Sequence, residues 1–320
     1  LYQDAVHRLF EIMTTAPEAP ATSAPHVDAD GAARISPGIA AAAPELGPLA
    51  NLPGTWTGHG FNQIWRPKHG TDDHFLQLNL THEHLVFNSI GGLVPNRGFA
   101  QHDIELTGVR YLQQISDDSG FPPPTGGGAL HIEPGFWLNV PATTAPHAPA
   151  SVVRLASVPH GTSVLAQGSS KELDGPPPIE PVDITPFVTG HPDQQIPFPN
   201  ETTLSHHSTL RNKLPAGITQ HLVDNPNKLL SDRLAHQDVV HTTVLHVTSG
   251  SIGDGGLRDI PFLGPNAAAH HLRATFRIET VRHPHGGTFL QLQYTQQLVL
   301  DFNGLSWPHV SVANLVLTGT

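Results

Sequence analysis

The sequence predicts an all-β protein, a closed antiparallel barrel with a short N-terminal helix ahead of it and a partly helical insertion within it. Three observations carry that expectation. Apolar and polar residues alternate in His74–Leu80 and again in Thr288–Leu300, the period of a strand with one buried face. The run Leu52–Pro67 (LPGTWTGHGFNQIWRP) reads as a glycine-punctuated first strand. In Tyr294–Leu317, two alternating apolar segments flank Asn303-Gly304, a pair suited to a tight hairpin turn. A first and a last strand of this kind are what a barrel needs to close.

The elements follow in order. Ala5, Leu9, Phe10 and Met13 lie near one face of a short helix. Behind it, Ala16–Pro48 is an Ala/Pro-rich stretch that favours extended chain over sheet. Residues 1–48 are therefore expected to form an arm, and residues 49–320 one barrel domain. The arm's helix can dock on the barrel or swap into a second copy, a route to a homo-oligomer. Further strands are expected at His84–Ile90, Ile104–Leu106, Arg110–Ile115, Ala129–Val140, Val152–Ser157 and Ser163–Gln167. Asn96, Gly98, Asp117, Asp118 and Gly120 punctuate them as turns. Residues 169–238 break the rhythm with Gly175-Pro176-Pro177-Pro178 and scattered prolines. This insertion is expected to carry a helix in Ile218–Leu234, interrupted at Asn225-Pro226, and to cap one barrel mouth. The strands resume at Val239–Thr248, Ala268–Val281, Thr288–Leu300 and Trp307–Leu317.

Composition removes several classes. The 27 acidic residues outnumber 16 basic ones, for a net charge of −11 with no Lys/Arg cluster, which argues against nucleic acid. The same balance suits anionic membranes poorly, and no apolar run approaches the ~18 residues of a spanning helix. The opening LYQDAVHRLFEIM lacks a basic segment followed by an apolar core, so no secretory signal is expected. With no cysteine there are no disulfides, thiolate metal sites or cysteine nucleophiles, and a cytoplasmic setting is expected.

Histidine, by contrast, is abundant at 23 copies, most of them explained as surface polar residues standing in for lysine. His82 and His84 would share a strand face and could hold one ion, but no third ligand stands at a diagnostic spacing, and HExxH is absent. His206-His207 invites the same reading, whereas His270-His271 and His283-Pro284-His285 read as loop or strand-edge residues. There is no Gly-x-Ser-x-Gly elbow, and Gly126-Gly127-Gly128 lacks the Lys and Ser/Thr of a phosphate loop.

Four segments, in order, resemble the nitrobindin family of calycin-related, heme-binding β-barrels. They are Gly54-Thr55-Trp56-Thr57-Gly58-His59-Gly60, Leu130-His131-Ile132-Glu133-Pro134-Gly135-Phe136, the strand pair Val153–Gly168, and the C-terminal hairpin that reaches His309. The likeness covers residues 50–168 and 239–317, and this chain departs from a minimal family member through its arm and its insertion. The resemblance implies a heme b cofactor with His309 as the iron ligand and His131 beside the heme. It implies cofactor contacts from His309, His131, Leu130, Val299 and Leu305, with Leu298 and Leu300 as further apolar wall. The implied activity is that of a heme-dependent isomerase or peroxidase-like enzyme on small nitrogen-oxide or peroxide species, such as peroxynitrite isomerisation. The alternative is a calycin-type carrier, or a non-heme enzyme, for an apolar small molecule.

Physical chemistry makes the reading coherent. A barrel of roughly ten strands has room for a flat apolar ligand. Neutral imidazole ligates iron through one ring nitrogen. Glu133, two residues beyond His131, faces the same side of a regular strand and can orient it. The resemblance further implies that Trp56 plugs the barrel floor. Everything turns on register, since a slip of one residue would turn His309 from the inside to the outside.

Overall fold

The computed structural model describes residues 43–67, 74–118, 128–196, 214, 216–249, 255–263 and 266–319. The chain divides into two compact units, Leu1–Glu45 and Leu46–Thr320. The expected N-terminal helix lies outside the described residues.

Strands β1 (Gly54–Pro67), β2 (His74–Ser89), β3 (Val94–Asn96), β4 (Ile104–Asp117), β5 (Ala129–Val140), β6 (Thr143–Thr144), β7 (His147–Ala148), β8 (Ser151–Val158) and β9 (Thr162–Asp174) come first. The insertion contributes β10 (Phe187–Val188), β11 (His191–Gln195) and helices α1 (Gln220–Asp224) and α2 (Lys228–Leu234). Then follow β12 (Asp238–Ser249), β13 (Gly255–Asp259), β14 (Ala268–Arg282), β15 (Thr288–Phe302) and β16 (Leu305–Gly319). Ten of these pair antiparallel in the order β1-β2-β4-β5-β8-β9-β12-β14-β15-β16, and β16 pairs back onto β1. The sheet is therefore a closed barrel, which removes both edges.

Strands are longer than the alternation suggested. The two segments expected at 74–80 and 84–90 are one strand, β2, and those at 104–106 and 110–115 are one strand, β4. Thr81, His82 and Glu83 break the apolar pattern, yet cross-strand bonding carries β2 through them. Strand β9 runs to Asp174, so the insertion starts at Gly175 rather than at 169. Asn225-Pro226 divides the expected helix into α1 and α2. The closing hairpin turns at Asn303 and Gly304, with φ of 51° and 73°, the double left-handed geometry that favours Asn-Gly. At the seam, a side chain on Gly60 would stand 2.3 Å from the Val312 carbonyl oxygen and 2.7 Å from Thr81 Oγ1. Only glycine lets β1 approach β16 and β2 there.

Two cores form, one on each side of the wall. Inside, Leu46, Leu49, Leu52, Trp56, Phe87, Val109, Trp137 and Val152 fill one end. Trp56 lies in this floor as expected, its indole donating to the Leu52 carbonyl at 2.8 Å. Outside, Phe61, Trp65, Leu76, Leu78, Val310 and Val312 pack against Ile184, Ile218, Leu222, Val223 and Leu230 of the insertion. The described part of the insertion thus lies along the outer wall of β1, β2, β15 and β16, not over a mouth as expected. Its β10 pairs with Leu305 and Ser306 of β16, beyond the point where β1 leaves that strand.

Candidate functional site

Alternation along each strand decides which side chains enter the barrel. On β16, Ala313 and Leu315 belong to the inner core while Val310 and Val312 belong to the outer one. Ser311 and His309 continue the row of Ala313, both bond Asn62 of β1, and His131 and His160 lie close to His309, so this pair faces inward; Leu305 and Trp307, of the same parity, lie past the point where β1 leaves β16 and pack on the outer core. His309 is the fifth residue of β16. Its cross-strand partner is Leu298, which packs against the inner core. The register question is answered in favour of the interior.

The His309 ring is held by a specific bond. Its Nε2 stands 2.7 Å from Asn62 Oδ1. An amide oxygen only accepts, so Nε2 carries the hydrogen and the lone pair is on Nδ1. Ser311 Oγ donates to the same oxygen at 2.8 Å, which fixes Asn62 in turn. Burial, together with the nearby imidazoles of His131 and His160, pushes the His309 pKa down to about 3. The ring is therefore neutral at physiological pH and available as a Lewis base.

His131 also faces inward, from β5. Its Nε2 lies 3.2 Å from Glu133 Oε2, so it donates there and again presents Nδ1. Glu133 is the hub of a buried network. Arg154 NH2 meets Glu133 Oε1 at 2.5 Å, and Tyr111 OH donates to the same carboxylate. Arg154 also donates through Nε to Tyr111 at 3.0 Å and through NH1 to Gln296 at 2.6 Å. Its guanidinium sits 5.3 Å from the Phe276 ring centroid. Burial favours the neutral form of Glu133, but the Arg154 charge and the bonds from His131 and Tyr111 outweigh it, leaving Glu133 well below the usual carboxylate range.

A second buried carboxylate behaves oppositely. Glu83 accepts from Tyr294 at 2.6 Å, Gln113 at 3.2 Å and Thr81 at 3.1 Å, with no cation bonded to it among the described residues. Burial outweighs these bonds and raises its pKa. The interior therefore holds one carboxylate fixed as an anion and another biased toward the acid.

A third histidine joins them. His160, in the turn between β8 and β9, has its ring centroid 5.6 Å from that of His131. Burial, then His131, lowers its pKa to about 4. Sequence reasoning missed it, since a histidine in a Pro-His-Gly turn has no period to place it. Arg154 was also missed, although it alternates with Val152 and Ala156, and an arginine on an apolar strand face calls for a buried acid.

The other expected contacts fare differently. Leu298 is inside. Val299 follows it and points to the outer wall, a correction that strand alternation requires. Leu305 packs against the outer core. Leu130 falls where the β4–β5 register shifts, between the paired residues Ala129 and His131. Leu300 is half-buried and shares the parity of Leu298 on β15.

His82 is exposed on the outer surface, with its ring against His59 at 5.3 Å. His206 and His207 lie outside the described residues. Among the described residues, no group of three His, Asp or Glu side chains is arranged to hold a bare metal ion. No described helix is long and apolar enough to cross a membrane.

No protein-family model, no curated protein and no solved structure matches the chain.

Proposed function

We propose that the barrel is a heme-binding protein acting on small nitrogen-oxide or peroxide species, with His309 as the iron ligand. The observation that carries the reading is the state of His309: inside the barrel, neutral, tethered to Asn62 and with Nδ1 unpaired among the described residues. A ring oriented by a hydrogen bond on one nitrogen and free on the other is how proteins prepare imidazole for a metal. The residues present fit the group in three respects. His309 supplies the donor, Leu298 and Ala156 supply apolar surface that is only half-buried, and among the described residues no anionic side chain bonds His309. In the observed ring orientation, Nδ1 is the nitrogen that would meet iron.

When bound, heme would supply an electrophilic centre for peroxynitrite-like or peroxide substrates. The chain's own contribution is positioning and proton handling. His131, held by Glu133, keeps Nδ1 able to accept a proton or a hydrogen bond. Glu133 is in turn fixed by Arg154 and Tyr111, so the imidazole has one preferred orientation. Asn62 and Ser311 do the same for His309.

A carrier for a flat apolar molecule, without metal, is the second reading. It is favoured by the half-buried Leu298 and Ala156, which can meet a ligand with or without iron.

Absorbance titration with hemin tests the proposal. Wild type is expected to develop a saturable Soret band, and His309→Ala to lose it while staying folded by circular dichroism. His131→Leu should keep the band but change ligand affinity or peroxynitrite turnover by about tenfold, the scale of one hydrogen bond. A wild type with no Soret band refutes heme binding. An unaltered band in folded His309→Ala removes His309 as the ligand.

A further inference from the structure

The large exposed apolar side chains fall in different places. Leu93 lies just before β3, Val94 within it and Phe99 after it, Phe136 and Leu165 are on the outer wall, and Ile196 is in the insertion. Ile260 and Phe262, 48% and 61% exposed, follow β13 at the end of the barrel where the three histidines gather.

This last pair is not loosely held. Ile260 N–H donates to the Gly161 carbonyl at 2.8 Å, and Leu263 N–H returns to Ile260 at 3.0 Å. Asn266 caps the turn, its side chain donating to Phe262 O at 2.9 Å. Below, Asp259 accepts from Thr162 Oγ1 at 2.6 Å and from Ala269 N at 2.7 Å. The segment is pinned at both ends, so the exposure of Ile260 and Phe262 is built in rather than the result of fraying.

What it is pinned to matters. Ile260 Cγ1 and Phe262 Cζ stand 3.0 and 3.2 Å from where a side chain on Gly161 would begin. Gly161 directly follows His160, whose ring neighbours His131. The apolar pair is thus continuous with the histidine cluster through one glycine.

We propose that Ile260, Phe262 and His160 form an outer lip of the ligand site, an apolar edge that packs on the part of a flat, apolar, porphyrin-sized ligand projecting from the barrel. The inference rests on the heme reading above and extends it. His309 and His131 contact the inner part of the ligand, and the lip contacts the outer part independently of iron. Apolar contact is indifferent to the metal, so an iron-free porphyrin should use the lip as fully as heme does.

The test uses the full chain and two probes, hemin followed by absorbance and iron-free protoporphyrin IX followed by its fluorescence. Phe262→Ser should weaken both by about tenfold, since burying part of an aromatic ring contributes on that scale. His309→Ala should weaken hemin far more than protoporphyrin IX. Because Phe262 is exposed, the thermal midpoint of Phe262→Ser should match wild type, and Ile260→Ser gives a second, independent lip variant. Unchanged affinity for both probes in both lip variants, with wild type binding normally, overturns the lip while leaving the heme reading intact. A wild-type dimer in sedimentation that Phe262→Ser dissociates, with porphyrin affinity unchanged, assigns the lip to a second copy and also overturns it. A wild type that takes up neither probe overturns both readings together.

Discussion

Glu133 and Arg154 meet deep inside the barrel with almost no contact with water. Such a pair is stable only when every remaining donor and acceptor is met, and here Tyr111, Gln296 and His131 meet them. Removing one partner strands a buried charge. Arg154→Met should therefore destabilise the fold by about 3–5 kcal/mol, read from urea unfolding. The double variant Glu133→Gln/Arg154→Met should recover part of that loss, and a double variant as unstable as the single one would deny the coupling. The two buried imidazoles make a separate prediction. His160 and His309 have native pKa values of about 4 and about 3, below the ordinary histidine value of 6.5. As pH falls below about 6.5 the unfolded chain takes up protons that the native chain refuses, so stability should fall with pH from there to about 4. His160→Gln should flatten the slope of the urea midpoint against pH in that window; a slope equal to wild type would show that His160 is not protected. Of these residues, His309 and His131 were singled out by the family resemblance of their strands, and Glu133 by its spacing of two residues from His131. Asn62, His160 and Arg154 were not, because their importance comes from partners distant in sequence.

The insertion shows what an element gains from its place. On β15, Gln291, Gln293 and Gln297 alternate with apolar residues and read as a water-facing row. In the structure they lie beneath the insertion. Gln291 and Gln237 exchange amide bonds at 2.9 Å, Gln293 donates to the Leu230 carbonyl at 3.2 Å, and Gln297 to that of Asp183 at 2.7 Å. Thr295 Oγ1 donates to Asn227 at 2.6 Å in the same row. Glu279 is buried in this contact and accepts from Gln291 at 2.6 Å. Burial outweighs that bond and the nearby Arg277, lifting its pKa to about 7 from 4.5. Its sign is opposite to that of the histidines. Between about pH 4.5 and 7 the native state holds a proton that the unfolded chain has lost, so this contribution is present at low pH and disappears as pH rises. Glu279→Gln should raise the unfolding midpoint more at pH 8 than at pH 5. Equal gains at both values would mean that the carboxyl is not desolvated.

Closure of the barrel depends on the seam between β1 and β16, where nine residues from Thr55 to Gln63 find partners. Gly60 allows the approach. Gly60→Val should push Val312 and Thr81 away, expose the seam and cost protection of β1 and β16 amides in hydrogen exchange before the remaining strands are affected. Uniform protection across the sheet would show that the seam tolerates a side chain. The same closure sets the interior, because every inward residue of ten strands is brought to a common axis. That is how Asn62 and His309, 247 residues apart, come within 2.7 Å.

The strand-forming segments, the Asn-Gly hairpin and the broken helix of the insertion were determined by the sequence itself. They rest on alternation, turn chemistry and proline, which act between near neighbours. Tertiary structure alone decided three things: that the two strands read in β2 are one, that the insertion lines the wall, and that three histidines share one interior with a fixed ion pair. Each of these depends on which residues meet across the sheet. Pairing of strands far apart in the chain is set by burial and register of the closed whole, which no local window contains.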